Sequence, residues 1–154
     1  EQMLRRDAGD FDIGRALAAW PSLEEMESRA ARTFAAGSSL AETALRETRA
    51  RYRAPGALRE QLARLRAAWP GLRERLSAQL LPWSEARHML REAGAACEPE
   101  QIGIPRPRLR LSYQQAGYIR RRYTVLDFAA RWGVFEPALA AIFGPGGPWP
   151  VADS

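Results

Sequence analysis

The 154-residue sequence predicts an all-α bundle of about seven helices, and three observations carry that prediction. Ala, Leu, Arg and Glu fill 81 positions and are strong helix formers. Val, Ile and Thr, whose branched side chains suit strands, total only 12. Apolar residues recur at steps of three and four, and the segments they define are bounded by Ser, Thr, Gly and Pro in the positions that start and stop helices. With 46% hydrophobic and 27% charged residues, the chain has the balance of one globular domain. At this size folding hides roughly 70% of the unfolded surface, so a core forms without staples. One cysteine, Cys97, forms no internal disulfide, and one histidine, His88, excludes a cluster of imidazoles or a Cys/His zinc site built from this chain alone.

The elements follow in order. Phe11 opens an apolar-spaced helix over 11–20 that Pro21 ends. Ser22 with Glu25 reads as a capping box, in which hydroxyl and carboxylate each accept a free backbone N–H. The helix it starts carries Leu23, Met26, Ala30 and Phe34 as an inward stripe and stops at Gly37. Ser39 with Glu42 repeats the signature and starts a helix to about residue 53, with Leu40, Ala44, Leu45 and Tyr52 on one face. Pro55 and Gly56 mark a turn. Leu58, Leu62, Leu65, Trp69, Leu72, Leu76 and Leu80 then form a seam of fours and threes that belongs to one long packed helix. Pro70 interrupts the backbone bonding there, so a kink or brief break is expected, the stripe keeping phase across it.

After Pro82 a shorter helix is expected over 83–93, ended by Gly94, and a linker rich in proline and glycine over 97–108. A helix over 107–121 follows, with Leu111, Tyr118 and Ile119 turned inward. Thr124 with Asp127 caps a helix over 125–132 that Gly133 ends, and a last one spans 136–143. Residues 1–143 thus read as a single helical domain, and 144–154 as an unstructured Gly/Pro-rich tail. The longest uncharged stretch, 137–152, is only 16 residues and is broken by glycine and proline, so no membrane span is expected. Without a basic-then-apolar N-terminus there is no secretion signal to read, and the lone cysteine suits a reducing, cytoplasmic setting.

The net charge of +5 is concentrated in one segment. Residues 105–131 hold Arg106, Arg108, Arg110, Arg120, Arg121, Arg122 and Arg131 against Asp127 alone, whereas charges cancel over 1–104. Such a segment directs a positive field toward an anion, an acidic surface or a phosphate. No complete active site is visible in the spacing. His88 has only Glu85 and Glu92 near it, Cys97 has no histidine partner, and no glycine-rich loop joins a strand to a helix. Residues 126–143 have the spacing of a helix-turn-helix beside the arginine cluster. The helix that would read bases offers Glu136, Pro137, Ala138, Leu139, Ala140, Ala141, Ile142 and Phe143, with no donor for base edges, so specific nucleic-acid binding is not expected. A DNA-binding module and a free-standing helical interaction bundle are the alternatives to an enzyme part.

The basic segment also carries a more specific pattern. Ile102-Gly103-Ile104-Pro105-Arg106, followed by Ile119-Arg120-Arg121-Arg122-Tyr123-Thr124-Val125-Leu126-Asp127-Phe128-Ala129, resembles the end of the sn-glycerol-1-phosphate dehydrogenases, in the dehydroquinate synthase-like, metal-dependent alcohol dehydrogenase superfamily. Phe128 stands where leucine is common, and Arg121 occupies a variable position. The likeness extends over nearly the whole chain and is closest over 55–133. It implies the C-terminal helical part of an oxidoreductase, inactive alone, that uses NAD(P)H and a divalent metal, usually zinc, to reduce dihydroxyacetone phosphate to sn-glycerol 1-phosphate. The resemblance places the nucleotide-binding α/β domain, its glycine-rich loop and the metal-binding aspartate and histidines upstream of residue 1, and assigns no catalytic, cofactor or metal residue to this chain. The implied partners are that upstream domain and a phosphorylated small molecule, and homo-oligomers are compatible with it. Arg120 and Arg122, which match the family string, are the candidate contacts to phosphate or to the domain interface.

Overall fold

A computed structural model describes residues 1–151. Among them the chain is all-α, with helices α1 (Ile13–Ala18), α2 (Leu23–Thr33), α3 (Ser39–Arg51), α4 (Pro55–Gln79), α5 (Trp83–Glu92), α6 (Arg106–Ala116), α7 (Val125–Arg131) and α8 (Phe135–Phe143). Two 3-10 turns, Ala8–Asp10 and Pro99–Ile102, join them, and no strand is present among the described residues. None of these helices is long and apolar enough to cross a membrane.

The core gathers around Phe11. Its ring meets Trp69 edge-on at 5.3 Å and Phe128 edge-on at 5.7 Å, and lies 4.6 Å from Trp132, while Trp69 stacks on Phe128 at 5.1 Å. The sequence pattern expects Phe11 as the first residue of a helix. Instead Asp12 is the cap, its carboxylate accepting from Arg15 N–H at 3.0 Å, and the helix is the shorter α1. Released from helical geometry, Phe11 turns between the 3-10 turn and α1 into the middle of α4 and α7. Trp69 buries its ring there because its indole N–H donates to the Arg6 carbonyl at 2.8 Å, which satisfies the one polar atom of the side chain.

Helices α2 and α3 form the most extensive helix pair, packed through the small residues Ala30, Ala41 and Ala44. Ser22 caps α2 by accepting from Glu25 N–H at 3.1 Å, but the Glu25 carboxylate turns to Arg29 and leaves the capping box half made. The cap of α3 is Ser38, not Ser39: its hydroxyl accepts from Ala41 N–H at 3.2 Å. Two adjacent serines offer the same chemistry, and the turn around Gly37, at φ +73°, decides which one lies extended at the helix start. The inward face is Ala41, Ala44, Glu47 and Thr48, the side turned to α2, and Leu40 stays outside.

Helix α4 runs unbroken through Pro70, whose ring sits on the solvent side. The leucine seam is buried at Leu58, Leu62 and Trp69, half-buried at Leu65, Leu72 and Leu76, and open at Leu80, 54% exposed. The helix therefore projects beyond the bundle, and α5, which continues from it, buries no residue. The Arg87–Glu98 ion pair ties α5 to the loop before α6. Helix α6 ends at Ala116 rather than near 121, so residues 117–124 form turns and Ile119, expected inward, is exposed. Thr124 and Asp127 make the full capping box of α7, and Gly133 follows at φ +66°, the left-handed position a side chain disfavours.

The Gly/Pro segment after α8 is not loose where it is described. Trp149 N–H donates to the Ile142 carbonyl at 3.1 Å and Val151 N–H to the Phe143 carbonyl at 2.8 Å, and Trp149 lies 6.3 Å from Phe143. A Cβ on Gly144 would strike the Ala140 carbonyl, and one on Gly147 the carbonyls of Ala141 and Ile142, so both positions need glycine. The last three residues of the expected tail lie outside the described residues.

Candidate functional site

Arg51, the last residue of α3, joins three parts of the chain. Its guanidinium donates to Asp127 Oδ1 at 2.7 Å and to the Gly117 carbonyl at 2.5 Å, and its Nε donates to the Glu47 carbonyl at 3.2 Å. Asp127 is placed to accept because its other oxygen is already held by the Thr124 backbone N–H at 2.9 Å and hydroxyl at 3.0 Å. Both charged side chains are mostly buried, at 15% and 12% exposed. Arg131, buried at the end of α7, donates to the Arg51 carbonyl at 3.2 Å and to the Gln61 side chain, and covers the Tyr123 ring with its guanidinium 4.8 Å from the centroid. Burial lowers the pKa of Arg131 from its ordinary value and, outweighing the nearby Arg131 charge, pushes the Tyr123 phenol up to about 12.

Above this node lies a cleft of about 890 Å³ between α2 and α3 on one side and α6, α7 and the start of α8 on the other. Its walls are largely apolar, from Met26, Leu111, Leu126, Ala130 and Phe135, and Trp20 closes one end, stacked on Tyr52 at 6.3 Å. Four arginines line it, Arg29, Arg32, Arg51 and Arg131, against Asp127 and Glu136. Tyr118 stands among them, its pKa raised by burial against the opposing influence of Arg29. Thr48 also borders this space; the residue is 2% exposed, and its hydroxyl oxygen is sealed from solvent without a hydrogen-bond partner.

The sequence-predicted residues are dispersed. Arg120 and Arg122 are exposed on the 117–124 turns, outside the cleft, and among the described residues neither takes part in an ion pair. Arg121, at the variable position, lies 3.7 Å from the buried carboxylate of Glu47. The rest of the basic segment is largely occupied locally. Arg106 pairs with Glu100 at 2.8 Å, Arg108 donates to Gln115 at 3.1 Å, and Arg131 is interior. His88 is exposed, Cys97 is half-buried with its N–H on Gln101, and among the described residues no three His, Cys, Asp or Glu side chains come together as a metal site. The donor set among the described residues therefore does not fit a metal ion. Helices α7 and α8 follow one another across the turn at Gly133, with Glu136, Pro137, Ala140 and Ala141 outermost on α8 and no donor for a base edge.

Pattern reasoning misses Arg51, which sits in a segment of locally balanced charge, and gives Arg131 no role beyond its charge. The one available signal for the node is Asp127, the sole acid among seven arginines. Comparison with protein-family models, curated proteins and solved structures returns no match for this chain.

Proposed function

We propose that this chain is the C-terminal helical part of a cytoplasmic, NAD(P)H-dependent sn-glycerol-1-phosphate dehydrogenase, acting on dihydroxyacetone phosphate together with an upstream nucleotide-binding domain. One observation supports the reading most. The residues that carry the family string are those that organise the bundle's polar centre: Thr124 and Asp127 make the cap, Asp127 holds Arg51, and Phe128 and Ala129 enter the core. That construction leaves Arg120 and Arg122 exposed beside it, with guanidinium groups uncommitted to ion pairs among the described residues. Phosphate and dinucleotide are both anions for which guanidinium supplies paired, charge-assisted bonds, and an adjoining domain's carboxylates would be met the same way. On this reading NAD(P) and the divalent metal, zinc by the resemblance, are held upstream, and this chain contributes the far wall of the catalytic cleft.

The test compares the chain alone with a longer protein that includes the coding sequence ahead of Glu1. The longer protein should consume NAD(P)H when given dihydroxyacetone phosphate and lose activity to a chelator; the chain alone should do neither and should hold no tightly bound zinc. In the longer protein Arg120→Ala or Arg122→Ala should reduce stability or kcat/KM for the phosphorylated substrate more than Arg121→Ala does. A longer protein without dehydrogenase activity, or sequence-selective duplex binding by the chain at physiological salt, would overturn the proposal.

A further inference from the structure

We propose that the cleft between α2 and α6–α8 is a binding site for an amphipathic organic anion, its apolar body between Met26, Leu126 and Phe135 and its carboxylate or phosphate head at Arg29 and Arg32. Three independent features carry this. A space of about 890 Å³ falls within the size of sites that enclose small organic molecules, roughly 300–1,000 Å³. Its walls are apolar, so a wholly polar ligand would leave them facing water, whereas an alkyl or aromatic body covers them. The charge is one-sided, with four arginines against two carboxylates. Arg51 and Asp127 neutralise each other and Arg131 is engaged below, which leaves Arg29 and Arg32 to set the sign at the mouth, opposed by Glu136 among the lining residues and by Glu25 beside Arg29. Their present partners, Glu25 and Ser28, are neighbours one turn back on the same helix; exposed contacts of that kind are weak and yield readily to a bound anion.

Tyr118 offers a phenol O–H donor near Arg29 and Arg32, its pKa raised further by burial. A triose phosphate is small and has no apolar body, so this ligand differs from the substrate proposed above, and binding needs no upstream domain.

The experiment is calorimetric titration of the chain with octyl phosphate and octanoate, each below its micelle concentration, beside octanol and inorganic phosphate. At least one of the two amphiphilic anions should saturate a single site. Octanol and inorganic phosphate should bind on the order of tenfold more weakly, each lacking one half of the recognition. Replacing both Arg29→Gln and Arg32→Gln should cost about tenfold or more. Both residues lie on the exposed side of α2, so the fold is retained, as circular dichroism would verify. Met89→Gln, on the exposed side of α5 away from the cleft, should leave affinity unchanged. No saturable binding by either anion, equal binding of octanol, or loss through Met89→Gln but not through the arginine pair would each overturn the assignment.

Discussion

Asp127→Ala removes two things at once, and the structure allows each to be sized. The first is the return half of the α7 cap, the carboxylate that accepts the Thr124 N–H, worth about 1 kcal/mol. The second is the counterion of Arg51. Deleting one partner of a buried ion pair costs roughly 3–5 kcal/mol, because the other charge stays buried and uncompensated. Here the low end applies: Arg51 keeps its bonds to the Gly117 and Glu47 carbonyls, and the pair retains 12–15% exposure. The expected loss is about 3–4 kcal/mol, which for a chain of this size lowers Tm by about 10 °C. Urea denaturation followed by far-UV circular dichroism measures it, with Thr124→Ala as the reference that removes the cap hydroxyl and its bond to Asp127 but keeps the Arg51–Asp127 pair, and should cost about 1 kcal/mol. Adding Arg51→Met to Asp127→Ala should restore part of the loss, since replacing both charges removes the orphan. The reasoning fails if Asp127→Ala costs no more than Thr124→Ala, or if the Arg51 and Asp127 losses simply add.

Phe11→Ala should destabilise by about 3–5 kcal/mol, since the ring touches three other aromatic rings and the cavity has no neighbour free to fill it; the urea midpoint is the measurement. Gly144→Ala should cost on the order of 1–3 kcal/mol, because the new methyl meets the Ala140 carbonyl, and the near-UV signal of Trp149 should change with it. Tyr123 predicts an alkaline limit. Its phenol titrates at about 12 in the folded chain and near 10 when unfolded, so its contribution is complete below pH 10 and disappears as pH rises through 12. Tyr123→Phe should flatten the stability profile in that window, and an unchanged slope would show that desolvation of the phenol, in a residue still 45% exposed, does not govern the titration.

Helix identity was legible because its causes span three or four residues. Ser22 accepting from Glu25, Thr124 boxed with Asp127, and Gly133 ending α7 are contacts a chain makes with itself within one turn, and composition alone excluded strands. Where two neighbours could serve equally, as Ser38 and Ser39 could, pattern alone did not choose between them. The long leucine seam foretold one long α4, though with a kink or brief break at Pro70 where the helix is in fact unbroken, and it did not tell where the cover stops, since Leu58 and Leu80 look alike until another element packs, or fails to pack, against them.

Tertiary structure decided everything that joins distant segments. Arg51 and Asp127 lie 76 positions apart and Trp69 and Arg6 lie 63 apart, and nothing in either neighbourhood marks the partner. The arginines conspicuous in the sequence, Arg120 and Arg122, stand exposed on a turn, while Arg29, Arg32 and Arg51, drawn from segments that looked unremarkable, converge with Arg131 on one cleft. The physical reason is that charge and hydrophobicity are properties of single residues, whereas desolvation depends on which surfaces meet. A guanidinium in a balanced surface helix and one sealed behind a carboxylate are the same letter, and only the fold, which brings the end of α3 to Asp127 and the Gly117 carbonyl, separates them.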